Sequence, residues 1–223
     1  AARAGGLLAT ARGSRVKKKE YPPEKDVASE PPRIGVFVCR CGINIASVVD
    51  VPAVVEFASG LPGVVHAQEY VYACSQDSLK GIREVVREKG LNRVVVASCT
   101  IRTHQPLFRE TVREAGLNRY LFEMANIRDQ CSWVHKSAAA AATEKAKDLV
   151  RMAAAKVARH RALALEPVPV VQSALVIGGG LAGMTAALAM AEQGYPVHLV
   201  EREARLGGTL WDLNATVEGR PVR

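Results

Sequence analysis

Two groups of residues in this chain have the types and spacing to do chemistry. The first is its five cysteines, Cys39, Cys41, Cys74, Cys99 and Cys131. Thiolates ligate zinc and iron–sulfur clusters. The second is a glycine turn, Gly178-Gly179-Gly180-Leu181-Ala182-Gly183, with Glu201 lying 18 residues after its last glycine. Gly178 allows a tight turn, Gly180 lets backbone approach a pyrophosphate, and Gly183 lets a helix pack closely on a strand. A carboxylate at Glu201 can accept hydrogen bonds from ribose hydroxyls and repels a 2′-phosphate, which favours FAD or NAD over NADP.

The elements that must position these residues can be read from the pattern. Around the turn, an apolar run over 174–177 enters the glycines. A helix-forming run over 184–193 follows, Gly194 stops it, and a second apolar run over 197–200 ends on Glu201. This is the order of a dinucleotide-binding βαβ unit, whose helix N-terminus offers N–H groups and partial positive charge to phosphates. After Glu201 come Arg202-Glu203-Ala204-Arg205-Leu206-Gly207-Gly208. An acid, a short polar stretch and Leu-Gly-Gly resemble the FAD-binding domain of two-dinucleotide-binding flavoproteins, in which paired glycines bring backbone near the cofactor. FAD is therefore favoured over NAD.

Upstream, residues 34–130 read as a first α/β domain. Strands are expected over 34–38, 64–72, 93–97 and 120–124, and helices over 52–59, 78–89 and 106–115. Cys39 and Cys41, Cys74, and Cys99 fall just past the ends of the first three strands, and Cys131 a few residues beyond the fourth. In a parallel sheet those ends share one edge, where open α/β folds bind ligands, so cysteines far apart in sequence can converge. Structural zinc sites usually use C-x2-C pairs. This chain has one C-x-C pair and three isolated cysteines, which favours an iron–sulfur cluster. Arg102 and Arg128 lie where they could offset its negative charge. His104 and His135 are read as helix-capping or solvated side chains rather than ligands, and Trp133 as packing beneath the cluster loop.

The remaining stretches organise the chain. Residues 1–33 read as a flexible basic, proline-rich tail, with 34–135 as the iron–sulfur domain. Residues 136–165 read as one long alanine-rich helix that, with the stiff Glu166-Pro167-Val168-Pro169 stretch, connects over 136–172 to a partial FAD domain at 173–223. The net charge is +8, but 1–19 hold six basic residues and no acid. The remainder has 24 basic and 22 acidic residues, a balance of +2. That argues against nucleic-acid binding. No apolar run approaches the roughly 20 residues of a membrane span, and the expected location is cytoplasmic.

Several stretches together identify a family. IGVFVCRCGINI (34–45), VVVASCTIRTHQPLF (94–108), LNRYLFEMANIRDQCSWVH (117–135), TEKAKDLVRMAAAKV (143–157) and ALVIGGGLAGMTAAL (174–188) resemble the A subunit of heterodisulfide reductase and related iron–sulfur flavoproteins. The resemblance implies an α/β domain with a [4Fe–4S] cluster, a linking helix, and then the first βαβ part of a Rossmann-type FAD domain. Carried over residue by residue, the ligands come from Cys39, Cys41, Cys74, Cys99 and Cys131, with one cysteine to spare. The FAD contacts are Gly178, Gly180, Gly183, Glu201 and Gly208, with Gly179, Leu181, Ala182, Arg202 and Gly207 beside them. The family implies an electron-transfer subunit in flavin-based electron bifurcation, inactive without partner chains. Those partners are further Fe–S subunits, a hydrogenase or formate dehydrogenase module, and a chain completing the FAD domain, whose remaining strands would be supplied separately. A second reading is a non-catalytic scaffold with a degenerate FAD domain. A third is an NAD-dependent enzyme with structural cysteines, for which no general acid/base pair is evident.

Overall fold

The computed structural model describes residues 2–14 and 16–222. Along the chain run a short helix α1 (Ala2–Leu8), strand β1 (Ile34–Cys39), helix α2 (Val51–Ser59), strand β2 (Val64–Tyr70) and helix α3 (Gln76–Glu88). Then come β3 (Arg93–Ser98), α4 (Ile101–Glu114), β4 (Phe122–Asn126) and α5 (Ala139–Val157). The last regular elements are β5 (Ala174–Ile177), α6 (Leu181–Ala191) and β6 (Val197–Val200). They divide into two units, one of Glu20–Leu165 and the other of residues up to Lys19 together with those from Glu166 onward.

The larger unit is an α/β sandwich around a four-stranded sheet of order β2-β1-β3-β4, every pair parallel. All six residues of β1 and all six of β3 are buried, as the apolar runs IGVFV and VVVA require of central strands covered on both faces. The edge strand β2 is only partly covered. Helices α2 and α5 pack together on one face, and α3 and α4 on the other. Helix α3 buries Leu79, Ile82 and Val86, one stripe at helical spacing, and starts at Ser75, whose hydroxyl accepts from the Ser78 N–H at 3.3 Å.

Two helices differ from expectation. Helix α4 begins at Ile101, one turn before Pro106, because Thr100 caps it. Its proline lies inside the helix and forfeits one N-terminal hydrogen bond. Helix α5 ends at Val157 rather than running to residue 165. Backbone groups beyond it are taken by side chains of the sheet unit. Arg93 donates to the His160 carbonyl at 2.9 Å, and Asn118 donates to the Leu163 carbonyl at 3.0 Å. Nor is α5 only a connector, since Ala142, Ala146, Val150, Ala153, Ala154 and Val157 are buried in the same core as β1 and β3.

The expected tail is also two different things. From Glu20 to Arg33 the chain lies along the sheet unit. Val27 is buried, and Asn92 accepts from the Arg33 N–H at 2.7 Å and donates to Glu30 at 3.2 Å and to the Pro31 carbonyl at 2.9 Å. Helix α1 instead packs on α6 of the smaller unit. Gly5 permits the approach, since a Cβ there would sit 2.5 Å from Gln193 Oε1. Nearby, the Arg12 guanidinium lies 3.9 Å from the centre of the Tyr195 ring. In that smaller unit β5 and β6 pair in parallel, Ala174 opposite Val197, and α6 packs on both. No helix among the described residues is long and apolar enough to cross a membrane.

Candidate cofactor sites

The strand order fixes where the cysteines meet. The chain leaves β1 for β2 on one side and returns across β1 to β3 on the other, so the crossover directions part between β1 and β3. The crevice beyond the C-terminal ends of those two strands is where such folds take ligands. Cys39 ends β1, Cys41 follows it, and Cys99 comes directly after β3. Cys74 arrives from the loop after the neighbouring β2. These four line one cavity of about 190 Å³, together with Ile45, Tyr72, Ser98, His104, Phe108 and Arg128.

Local structure aims positive charge at this cavity. Cys74 and Cys99 each stand one residue before a helix cap, Ser75 for α3 and Thr100 for α4, so both thiols sit at positive helix ends. Asn44 Nδ2 lies 3.9 Å from Cys41 Sγ as a donor. Ser132 Oγ holds that loop by donating to the Asn44 carbonyl at 2.5 Å. Burial pushes the Cys39 thiol up to about 11, against the N–H groups of Ala73 and Cys41, which favour its thiolate. Burial raises Cys99 too, opposed by the Arg128 guanidinium and the nearby Ser98 hydroxyl. Protonated and desolvated thiols gain a partner when a metal displaces the proton. The donor set therefore fits a thiolate-bound metal group.

Cys131 is placed elsewhere. It lies on a π-helical turn, Arg128–Ser132, that follows edge strand β4, and it is fully buried. Its Sγ donates to the Ala142 carbonyl of α5 at 3.0 Å, away from the cavity lining. His135 and Arg102 are likewise absent from the lining, whereas His104 and Arg128 are part of it. Trp133 does not pack beneath the loop. Its ring is half-exposed, with the Arg128 guanidinium 4.8 Å from its centre. Sequence reasoning missed Ser98 and Tyr72. For Ser98 a signal existed in its place as the last strand residue beside Cys99.

In the smaller unit the glycine turn is built as its residue types require. A Cβ on Gly183 would collide with the Gly178 carbonyl oxygen, so any other residue would push α6 off β5. Above Gly180 nothing lies within 4 Å of a Cβ position, and no side chain caps α6, leaving its N-terminus open. Leu206-Gly207-Gly208 lies across the turn. Gly207 N–H donates to the Gly179 carbonyl at 2.8 Å, and Gly207 takes a φ of +117°, which disfavours other residues. A Cβ on Gly208 would stand 3.4 Å from the Gly180 Cα. Glu201 is engaged from the protein side, accepting from the Gly179 N–H at 2.6 Å and the Glu203 N–H at 2.9 Å. The N–H groups of Glu203, first, and Gly179 hold its carboxyl below the usual range. Each oxygen keeps a further lone pair for a ribose hydroxyl. Arg202 is almost fully exposed, with its Nε 3.1 Å from Glu203. Leu181 and Ala182 open α6 beside the turn.

Residues 173–211 match a family described as an FAD binding domain. The chain is 54% identical over 190 residues to the second iron-sulfur A subunit of the CoB–CoM heterodisulfide reductase of Methanopyrus kandleri, covering 85% of this chain and 29% of that protein. It is 50% identical over 193 residues to the A subunit of the H2:CoB-CoM heterodisulfide,ferredoxin reductase of Methanothermobacter marburgensis, covering 86% and 29%. It is 47% identical over 182 residues to the A subunit of the ferredoxin:CoB-CoM heterodisulfide reductase of Methanosarcina mazei, covering 82% and 23%. The match thus spans under a third of each relative's length. Over 82–86% of its own residues the chain is similar to heterodisulfide reductase A subunits, and residues 173–211 match an FAD binding domain.

Proposed function

We propose that this chain is an electron-transfer part of a heterodisulfide reductase-like complex, holding a [4Fe–4S] cluster in one unit and the ADP portion of FAD in the other. The observation that carries the reading is the meeting of Cys39, Cys41, Cys74 and Cys99 around one cavity at the switch point of the parallel sheet. Among the described residues no three His, Cys, Asp or Glu side chains stand close enough to share one ion. Thiols spread around a cavity suit a cluster, which offers each thiolate its own iron, better than a single zinc.

When bound, such a cluster and flavin supply one- and two-electron redox chemistry. The chain's own residues do the rest. Four thiolates hold the metal, while Ile45 and Phe108, both fully buried or nearly so, keep water from it. Arg128 and the starts of α3 and α4 offset its negative charge. At the second site the opening of α6 receives phosphate, and Glu201 braces the turn while offering lone pairs to ribose. The names of relatives that pair a heterodisulfide with ferredoxin support a place in flavin-based bifurcation. The H2 in one relative's name supports a hydrogenase among its partners, with further iron–sulfur subunits and, in its place, a formate dehydrogenase module as part of the same reading.

One observation favours the scaffold reading for the smaller unit. Helix α6 has no buried residue, and Leu175, Ile177 and Val200 are exposed. Iron, sulfide and flavin analysis after anaerobic purification distinguishes the two. About four irons per chain with a broad visible absorption near 400 nm supports the electron-transfer reading. A colourless protein with five titratable free thiols overturns it.

A further inference from the structure

Among the described residues, four buried side-chain nitrogen or oxygen atoms have no hydrogen-bond partner: Glu69 Oε2, Arg93 Nε, Ser98 Oγ and Arg109 Nε. Of these residues only Ser98 lines the cysteine cavity. Its backbone is fixed on both counts that could move it. It ends β3 opposite Asn126 of β4, and its carbonyl accepts from the Ile127 N–H at 2.9 Å. The residue is buried, 2% exposed. A buried hydroxyl without a partner is destabilising, and proteins rarely keep one without a use. Donors around the cavity face two of its sulfurs: the Ala73 and Cys41 N–H groups toward Cys39, and Asn44 toward Cys41. Ser98 Oγ lies beside Cys99, whose thiolate its hydroxyl favours, and makes no other hydrogen bond.

We propose that Ser98 is the potential-setting residue of the cluster site, donating its O–H to the Cys99 thiolate or to an adjacent sulfide of the bound cluster. This rests on the cluster reading above. Reduction adds one electron and one unit of negative charge to a cluster while forming and breaking no bond to the protein. A hydrogen bond donated to its sulfur stabilises the reduced form more than the oxidised form, so it raises the potential. The effect adds to that of Arg128 but differs in kind. The Ser98 donor is buried and fixed by the sheet, whereas Arg128 shares its guanidinium with Asp129, at 3.3 Å, and with the Trp133 ring.

The test is a mediated titration with dithionite, followed by the electron paramagnetic resonance of the reduced cluster, on wild type, Ser98→Ala and Ser98→Thr. Iron content is measured on the same samples. Ser98→Ala is expected to keep its iron but to hold about tenfold less reduced cluster at a given solution potential, a downward shift of about 59 mV for a one-electron couple. Ser98→Thr, which keeps the hydroxyl, is expected to return the wild-type value. An iron-loaded Ser98→Ala with an unchanged midpoint overturns the proposal and leaves the cluster reading standing. Loss of iron from both variants also overturns it, because Ser98 then holds the site together rather than tuning it. A wild-type chain that binds no iron overturns the cluster reading itself.

Discussion

Cys131 and the cavity cysteines differ in what their sulfurs already touch. Cys131 spends its S–H on the Ala142 carbonyl inside the core, while the other four face a common space. Replacing Cys39, Cys41, Cys74 or Cys99 by alanine should each remove most of the bound iron. Cys131→Ala should keep the iron and lower stability by about 1 kcal/mol for the lost buried hydrogen bond. Iron assays and urea denaturation on the five variants check this, and iron loss in Cys131→Ala matching the rest would make it a ligand. Glu201 carries a pH prediction. Its carboxyl is held below the usual range by N–H groups that only the ionised form satisfies twice. The brace is therefore complete at neutral pH and is lost as pH falls through the depressed value. FAD retention, followed by the fluorescence of released flavin, should fall over that acid range in wild type. In Glu201→Gln it should be weak already at neutral pH and show no such step.

At the scale of elements, the glycine turn works because strand and helix touch. Gly183→Ala forces a Cβ onto the Gly178 carbonyl oxygen. Overpacking of this kind costs about 1–3 kcal/mol, and here α6 can relieve it only by tilting its N-terminus off the phosphate position. FAD affinity, measured by flavin fluorescence quenching, should drop roughly 5- to 100-fold, while iron content in the other unit stays unchanged. Such local geometry was readable in advance, because a turn that needs glycine names itself. The strands were readable too, since IGVFV and RVVVA can only be buried on both faces. What the residues alone could not give was the route of the chain after a strand. Cys131 lies beyond a strand end like the others, but β4 is the edge strand, and on the π-helical turn after it Arg128 lines the crevice while Cys131 reaches the Ala142 carbonyl of α5. The end of α5 was hidden for a related reason. Alanine-rich sequence continues past Val157, and the groups that stop the helix, Arg93 and Asn118, come from strands and loops over 40 residues away in sequence.

The distribution of the core sets the behaviour of the whole molecule. Every buried hydrophobic residue among those described falls between Val27 and Val157, within the unit Glu20–Leu165. Beyond it, β5 and β6 alternate between half-covered and exposed positions, and α6 buries nothing fully. A two-stranded parallel ribbon with one helix cannot remove enough apolar surface from water to offset the entropy of ordering it. The sheet unit, with four strands covered on both faces by helices, can. A fragment of residues 20–165 should therefore fold alone, with a single cooperative thermal transition by circular dichroism. Purified anaerobically, it should carry iron and no flavin, since all four cavity cysteines lie within it. A fragment of residues 166–223 should show neither a cooperative transition nor flavin binding by itself. If the 20–165 fragment folds but takes up no iron while the whole chain does, the cluster draws a ligand from outside the sheet unit, and the four-cysteine assignment fails at the scale of the molecule rather than of the residue.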